Sequence, residues 1–381
     1  MIPYGRQSVS QDDIDAVVAV LVSDFLTQGP VLPRFEAAVA EVCGVAHAIG
    51  VNSATSALHI ACLALEVGPG DLVWTVPNTF VASANCARYC GADVDFVDID
   101  PETWNLSVPE LARKLEKAEA GGRLPKVVIP VHFAGQPCDM AEIGDLARRY
   151  GFSVIEDASH AIGARYRDTT IGDCAHSAIT VFSFHPVKIV TTAEGGMATT
   201  ASPELANRMR LLHTHGVTRD PAMLESDEGP WYYEQHLLGF NYRLTELQAA
   251  LGLSQLARLD AWIDRRHRIA DRYDDALADL PLQLPVRRQD RRSALHLYAV
   301  RLRDPARRRS VVEALRAAGI GVNVHYIPVH TQPYYRRLGF HPGQFPASED
   351  YYAGAISLPM FPAMTDDEQD SVIEALREVL R

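Results

Sequence analysis

Cysteine is scarce and unpaired in this sequence. Six cysteines are spread over 381 residues, and none forms a CxxC pair. A chain of this length buries about three quarters of its unfolded surface, so it needs neither a disulfide framework nor a structural metal. Cys86 and Cys90 stand four apart on a predicted helix and read as buried thiols, a usage that suits a reducing, cytoplasmic compartment. Basic charge is also short: 36 Lys and Arg against 48 Asp and Glu leave a net charge of −12. That balance argues against non-specific binding to nucleic acid or to an anionic membrane. The first residues, Met1-Ile2-Pro3-Tyr4-Gly5-Arg6, lack the basic-then-apolar order of a secretory signal. The uncharged run from Cys43 to Leu65 is broken by Asn52, Ser53, Thr55, Ser56 and two histidines, which excludes it as a membrane span. There is no internal repeat and no low-complexity tract. His213 and His215 are two apart with no carboxylate or cysteine cluster beside them, so no metal site is expected.

What remains is a globular composition, 47% hydrophobic and 22% charged. The first 40 or so residues read as an arm and a helix, with apolar spacing over Asp13–Val22 and a Gly-Pro loop at Asp24–Pro30. From about 45 to 200, short apolar runs alternate with helical patterns. Strands are predicted at Ala46–Val51, Leu72–Val76, Val94–Val97, Lys126–Val131, Ser153–Ile155 and Ala178–Phe182. Helices are predicted at Ala57–Leu65, Glu110–Ala120 and Met140–Tyr150. This alternation predicts an α/β fold with a mostly parallel sheet covered on both faces. A single long helix is predicted over Leu244–Leu280. After it come strand Leu295–Leu302, helix Arg308–Ala318, strand Gly321–His325 and helix Asp366–Leu380. Residues 1–250 thus read as an arm plus a large α/β domain, and 251–381 as a long helix with a smaller α+β domain.

Three segments carry chemistry. Lys188 follows the strand Ala178–Phe182 amid apolar neighbours, where its amine can condense with an aldehyde; a surface lysine is the alternative. Asp157 ends the strand before Ala158-Ser159-His160. A carboxylate there either meets a cation, such as a protonated pyridine nitrogen, or caps the next helix. Asn52-Ser53-Ala54-Thr55-Ser56-Ala57 stands between a strand and a helix, a geometry that binds phosphate or merely caps the helix. Ser183, five residues before Lys188, can add a hydroxyl to the same phosphate. The cluster Arg265-Arg266-His267-Arg268 reads as a solvated helix face, and the pairs Tyr232-Tyr233 and Tyr334-Tyr335 as loop packing or a cover for a base.

Taken in chain order, a phosphate cradle, an aromatic residue in Thr79-Phe80, a pyridinium acceptor and a Schiff-base lysine resemble the fold-type I pyridoxal-phosphate enzymes. More narrowly, the chain resembles the DegT/DnrJ/EryC1/StrS sugar aminotransferases over almost its whole length. The marks are Ser23–Pro30, Asn52–Leu58, Ser183–Lys188, Gly239–Ala250 and Val324–Pro328. The resemblance implies pyridoxal 5′-phosphate as cofactor. It implies Lys188 as the Schiff-base lysine, Asp157 on the pyridinium, Phe80 stacked on the ring, and His160 near the ring oxygen. Ala54, Thr55 and Ser183 would hold the phosphate, joined by Asn241 of a second subunit, so that a homodimer shares its active sites. Tyr4, Phe25, Leu26, Thr27, His325 and Tyr326 would line the sugar pocket. The flagellin-glycan branch is most similar, Ala54 included. That branch implies transfer of an amino group from glutamate to C4 of UDP-4-keto-6-deoxy-N-acetyl-L-altrosamine, on the way to pseudaminic acid. The alternatives are another nucleotide 3- or 4-ketosugar, or a cofactor-binding homologue without catalysis. A dehydratase of this fold would carry His at the position of Lys188.

Overall fold

The computed structural model describes residues 1–381. It opens with helix α1 (Gln11–Leu21), started by a capping box between Ser10 and Asp13. Helix α2 (Val31–Cys43) follows, and its N-terminus has no local side-chain cap. The sequence reading passed over α2, because the acceptor for its first N–H groups comes from far away. Glu246 Oε2 accepts from Val31 N at 2.6 Å and Glu246 Oε1 from Leu32 N at 3.1 Å.

The large sheet is built from β1 (His47–Val51), β2 (Leu72–Thr75), β3 (Asp93–Phe96), β4 (Val127–Ile129) and β5 (Ser153–Asp157). A short hairpin, β6 (Arg165–Tyr166) and β7 (Thr169–Thr170), precedes its last two strands, β8 (Ile179–Ser183) and β9 (Gly196–Thr200). The strand order is β1-β9-β8-β5-β4-β2-β3. Every pairing from β8 to β3 is parallel, whereas β9 runs antiparallel to both β8 and β1. The expected mostly parallel sheet is present, with β9 as its one reversed strand. Its sequence, Gly-Met-Ala-Thr-Thr, looks polar but is wholly buried, because Thr199 and Thr200 donate their hydroxyls to Gly172 O and Ala178 O. Helices α3 (Ala54–Ala64), α4 (Ala82–Tyr89), α5 (Val108–Ala120), α6 (Met140–Tyr150) and α7 (Pro203–Leu212) connect and flank these strands. Apolar clusters on both faces of the sheet form the core.

The long helix expected over Leu244–Leu280 is two helices, α8 (Glu246–Leu256) and α9 (Leu259–Leu277). No Gly or Pro marks the break at Ala257-Arg258. There the Arg258 guanidinium meets the buried Asp13 carboxylate of α1 at 2.5 Å and lies over the Trp262 ring. Beyond α9, strands Leu282–Gln283, Tyr298–Leu302 and Ala355–Leu358 form a small antiparallel sheet. It packs on α9, helix Arg308–Ala317 and helix Asp366–Leu380 around a third apolar cluster. The strand expected at Gly321–His325 reduces to one bridge, Asn323 to Ser357. Past that bridge the chain leaves the sheet, and Val324, His325 and Tyr326 turn to a cavity instead. The N-terminal arm joins this part of the chain through Ile2 N to Gly319 O at 2.8 Å and Gly321 N to Ile2 O at 2.7 Å.

Candidate active site

Strands β1, β2, β5 and β8 share one direction, so their carboxyl ends meet at one edge of the sheet, where open α/β folds bind ligands. A cavity of about 550 Å³ opens there. Ser53, Ala54 and Thr55 reach it after β1, Thr79 and Phe80 after β2, Asp157 and His160 from β5, and Ser183 and Lys188 from β8. Tyr4, His325 and Tyr326 close it from the other side.

The α3 N-terminus forms one wall. Ser53 caps it by accepting from Ser56 N at 3.1 Å, while Ser56 donates its hydroxyl to Asn52 Oδ1 at 2.7 Å. The cap leaves the amides of Ala54 and Thr55 at the positive end of the helix dipole. Gly196 lies directly against this turn: a Cβ there would stand 2.5 Å from Ala54 N, so only glycine lets β9 approach so closely. Ser183, opposite Gly196 in register, brings its side chain to the same end of the cavity.

Asp157 is only 5% exposed, and no salt bridge reaches it. Ser83 donates its hydroxyl to Asp157 Oδ2 at 2.6 Å, and Ser159 N donates to Oδ1 at 3.1 Å. A buried carboxylate held by two neutral donors has capacity left for a cation on its cavity side. Lys188 is reachable from the cavity, yet the protein around it takes away most of its water. Burial pulls its ammonium down to about 8, against the opposing pull of Asp157. The His160 Nε2 lies 3.0 Å from the Tyr326 hydroxyl, and its Nδ1 is buried without a partner. Burial, then the charges of Lys188 and His325, hold His160 well below the usual histidine range. His325, fixed by Ser357 Oγ at 2.8 Å, falls to about 4 through burial and Lys188. These rings are therefore neutral hydrogen-bonding groups at pH 7. Phe80 is 58% exposed and presents a free aromatic face at the mouth.

This arrangement fits pyridoxal phosphate. A glycine-lined helix N-terminus suits the phosphate, an unpaired buried carboxylate suits a ring cation, and a lysine near neutrality suits an aldehyde. A profile of the DegT/DnrJ/EryC1/StrS aminotransferase family matches residues 7–377. The chain belongs to this family. It is 40% identical over its full length to the spore coat polysaccharide biosynthesis protein SpsC of Bacillus subtilis, of which the match covers 97%. Among solved structures, the putative sugar aminotransferase Spr1654 of Streptococcus pneumoniae, in its PMP form, superposes with a TM-score of 0.91 at 30% identity. Helicobacter pylori PseC, an aminotransferase involved in the biosynthesis of pseudoaminic acid, gives the same TM-score and identity. Each match covers all of this chain and 99% of the other. This family member is a sugar aminotransferase of fold-type I, and its cofactor is pyridoxal 5′-phosphate.

Of the residues singled out in the sequence, the cavity gathers Tyr4, Ala54, Thr55, Phe80, Asp157, His160, Ser183, Lys188, His325 and Tyr326. It does not gather Phe25, Leu26, Thr27 or Asn241, all of which lie exposed on the surface outside it. Thr79, Ser83, His296 and Asn323 were missed. Thr79 adjoins Phe80, which was its available signal, whereas Ser83 reaches Asp157 from another strand–helix junction and had none. His296 and Asn323 had none.

Proposed function

We propose that the enzyme transfers an amino group from glutamate to C4 of UDP-4-keto-6-deoxy-N-acetyl-L-altrosamine, with Lys188 as its catalytic residue. The convergence of the Lys188 amine, the Asp157 carboxylate and the α3 N-terminus on one cavity carries the chemical part of this reading. The likeness to PseC carries the choice of sugar. Bound pyridoxal phosphate supplies an electron sink for the charge left when a proton departs from the carbon next to nitrogen. Lys188 Nζ holds that proton and moves it between the cofactor C4′ and the sugar C4. Asp157 keeps the ring nitrogen protonated, and Phe80 covers one face of the ring. Ala54 N, Thr55 and Ser183 bind the phosphate, and His160 orients the ring oxygen.

No arginine lines the cavity, and Lys188 is its only cationic side chain. A donor with two carboxylates and a substrate with a diphosphate both need positive charge or strong donors. That shortfall supports a homodimer in which a second copy brings Asn241 and its neighbour Arg243 to the phosphate end. Phe25, Leu26 and Thr27, exposed on one copy, would then line the partner's sugar pocket beside Tyr4, His325 and Tyr326. On this reading residues 1–250 supply the cofactor groups and 251–381 supply most of the opposite wall.

A second reading is favoured by the higher identity to SpsC: a different nucleotide ketosugar, made for a surface polysaccharide. A panel of UDP- and dTDP-linked 3- and 4-ketosugars with glutamate separates the two. The first reading expects the highest kcat/KM for the UDP-altrosamine ketosugar. A preference of ten-fold or more for another member overturns that choice.

A further inference from the structure

Ser83 has one hydroxyl proton and three neighbours that compete for it or offer another. Asp157 Oδ2 lies 2.6 Å away, Thr79 Oγ1 2.7 Å away and Phe80 O 3.3 Å away. An ionised carboxylate only accepts, and it is the closest partner, so the Ser83 proton points to Asp157. The Ser83 oxygen is then free to accept, and the Thr79 hydroxyl donates to it. The result is a one-way chain, Thr79 to Ser83 to Asp157, in which all three residues are buried. Thr79 and Ser83 lie at the entry to α4 and on its first turn, and Cys86 Sγ, one turn further on, donates to Ser83 O at 3.3 Å. The chain therefore hangs on a fixed helical turn rather than on a mobile loop. With Ser159 N on Oδ1, Ser83 on Oδ2 fixes the plane of the carboxylate.

We propose that Ser83 is a positioning residue, backed by Thr79, that locks the Asp157 carboxylate toward the ring nitrogen of the cofactor. This rests on the reading that Asp157 meets that nitrogen. The sequence offers no hint of it, because Ser83 lies 74 residues from Asp157 and belongs to another strand–helix junction. Neither hydroxyl needs to touch the cofactor for the lock to work.

The test compares pyridoxal phosphate with its 1-deaza analogue, in which carbon replaces the ring nitrogen, by absorption titration of the apoenzyme. Ser83→Ala is expected to weaken pyridoxal phosphate roughly three- to ten-fold, the cost of re-ordering the freed Asp157 side chain on binding. The same variant is expected to bind the deaza analogue within about two-fold of wild type. Ser83→Thr retains a hydroxyl and is expected to restore most of the pyridoxal phosphate affinity. Thr79→Val, which leaves Ser83 in place, is expected to give a smaller loss of the same selectivity. The double variant is expected to be no worse than Ser83→Ala, because Thr79 acts through Ser83. An equal loss for both ligands, or no loss for either, overturns the proposal. Asp157→Asn serves as the reference: if it fails to distinguish the two ligands, the pairing of Asp157 with the ring nitrogen is what fails. Should Ser83→Ala not fold, the selectivity of Thr79→Val decides.

Discussion

The amine of Lys188 makes the most quantitative forecast. A lysine captures an aldehyde only as the free base. At pH 7.5 an ordinary lysine near 10.5 is free in roughly one molecule per thousand, whereas one near 8 is free in roughly a quarter. The site thus gains about two hundred-fold in reactive amine from burial, net of the opposing pull of Asp157. The capture rate of pyridoxal phosphate by apoenzyme, followed by stopped-flow absorption, is expected to rise ten-fold per pH unit up to about 8 and then level off. Asp157 opposes burial by favouring the ammonium. Asp157→Asn is therefore expected to move the midpoint below 8 and to speed capture at pH 7, even while equilibrium affinity falls. The two effects have opposite signs, so a general loss of folding cannot mimic both. A midpoint near 10 in wild type would refute the desolvated amine. An upward shift in Asp157→Asn would refute the assigned neighbour.

Three other outcomes follow from the geometry. Asn241→Ala and Lys188→Ala, each inactive at limiting pyridoxal phosphate, are expected to regain activity when mixed after subunit exchange; an active monomer on a sizing column contradicts the shared site. Glu246→Ala strips the acceptor from two α2 amides and is expected to cost about 2–4 kcal/mol in urea unfolding, with Glu246→Gln in between. Burial raises Glu36 to about 7 although the Gly50 amide at 2.7 Å opposes it. The native state therefore binds a proton that the unfolded chain has released between pH 4.5 and 7, and stability falls as pH rises through that window. Glu36→Gln is expected to raise Tm at pH 8 and to do little at pH 4, and an unchanged Tm at pH 8 contradicts the assignment.

Much of the site was legible because its residues stand at strand–helix junctions. There an apolar run stops and a polar or small residue follows, as at Val51-Asn52-Ser53, Ile155-Glu156-Asp157 and Phe182-Ser183. Features decided by distant partners were not legible. Helix α2 takes its cap from Glu246, more than two hundred residues away. The break between α8 and α9 turns on Arg258 meeting Asp13, and β9 hides hydroxyls inside the sheet. Ser83 shows no local pattern, since its importance lies in reaching Asp157 from another junction. Asn241 and Phe25–Thr27 stand outside the cavity, so the fold of one chain does not bring them to it.

Amino transfer in this enzyme is expected to run through Lys188. Its most direct test incubates the enzyme with pyridoxal phosphate, glutamate labelled with nitrogen-15, and UDP-4-keto-6-deoxy-N-acetyl-L-altrosamine, then reads the label by NMR. Wild type is expected to place nitrogen-15 on C4 of the sugar. Lys188→Ala is expected to reach less than about a hundredth of that rate, since removing a general acid–base typically costs roughly 10²–10⁴-fold. Transfer at the wild-type rate by Lys188→Ala, or no label in any ketosugar offered to the wild-type enzyme, would contradict an amino transfer through Lys188.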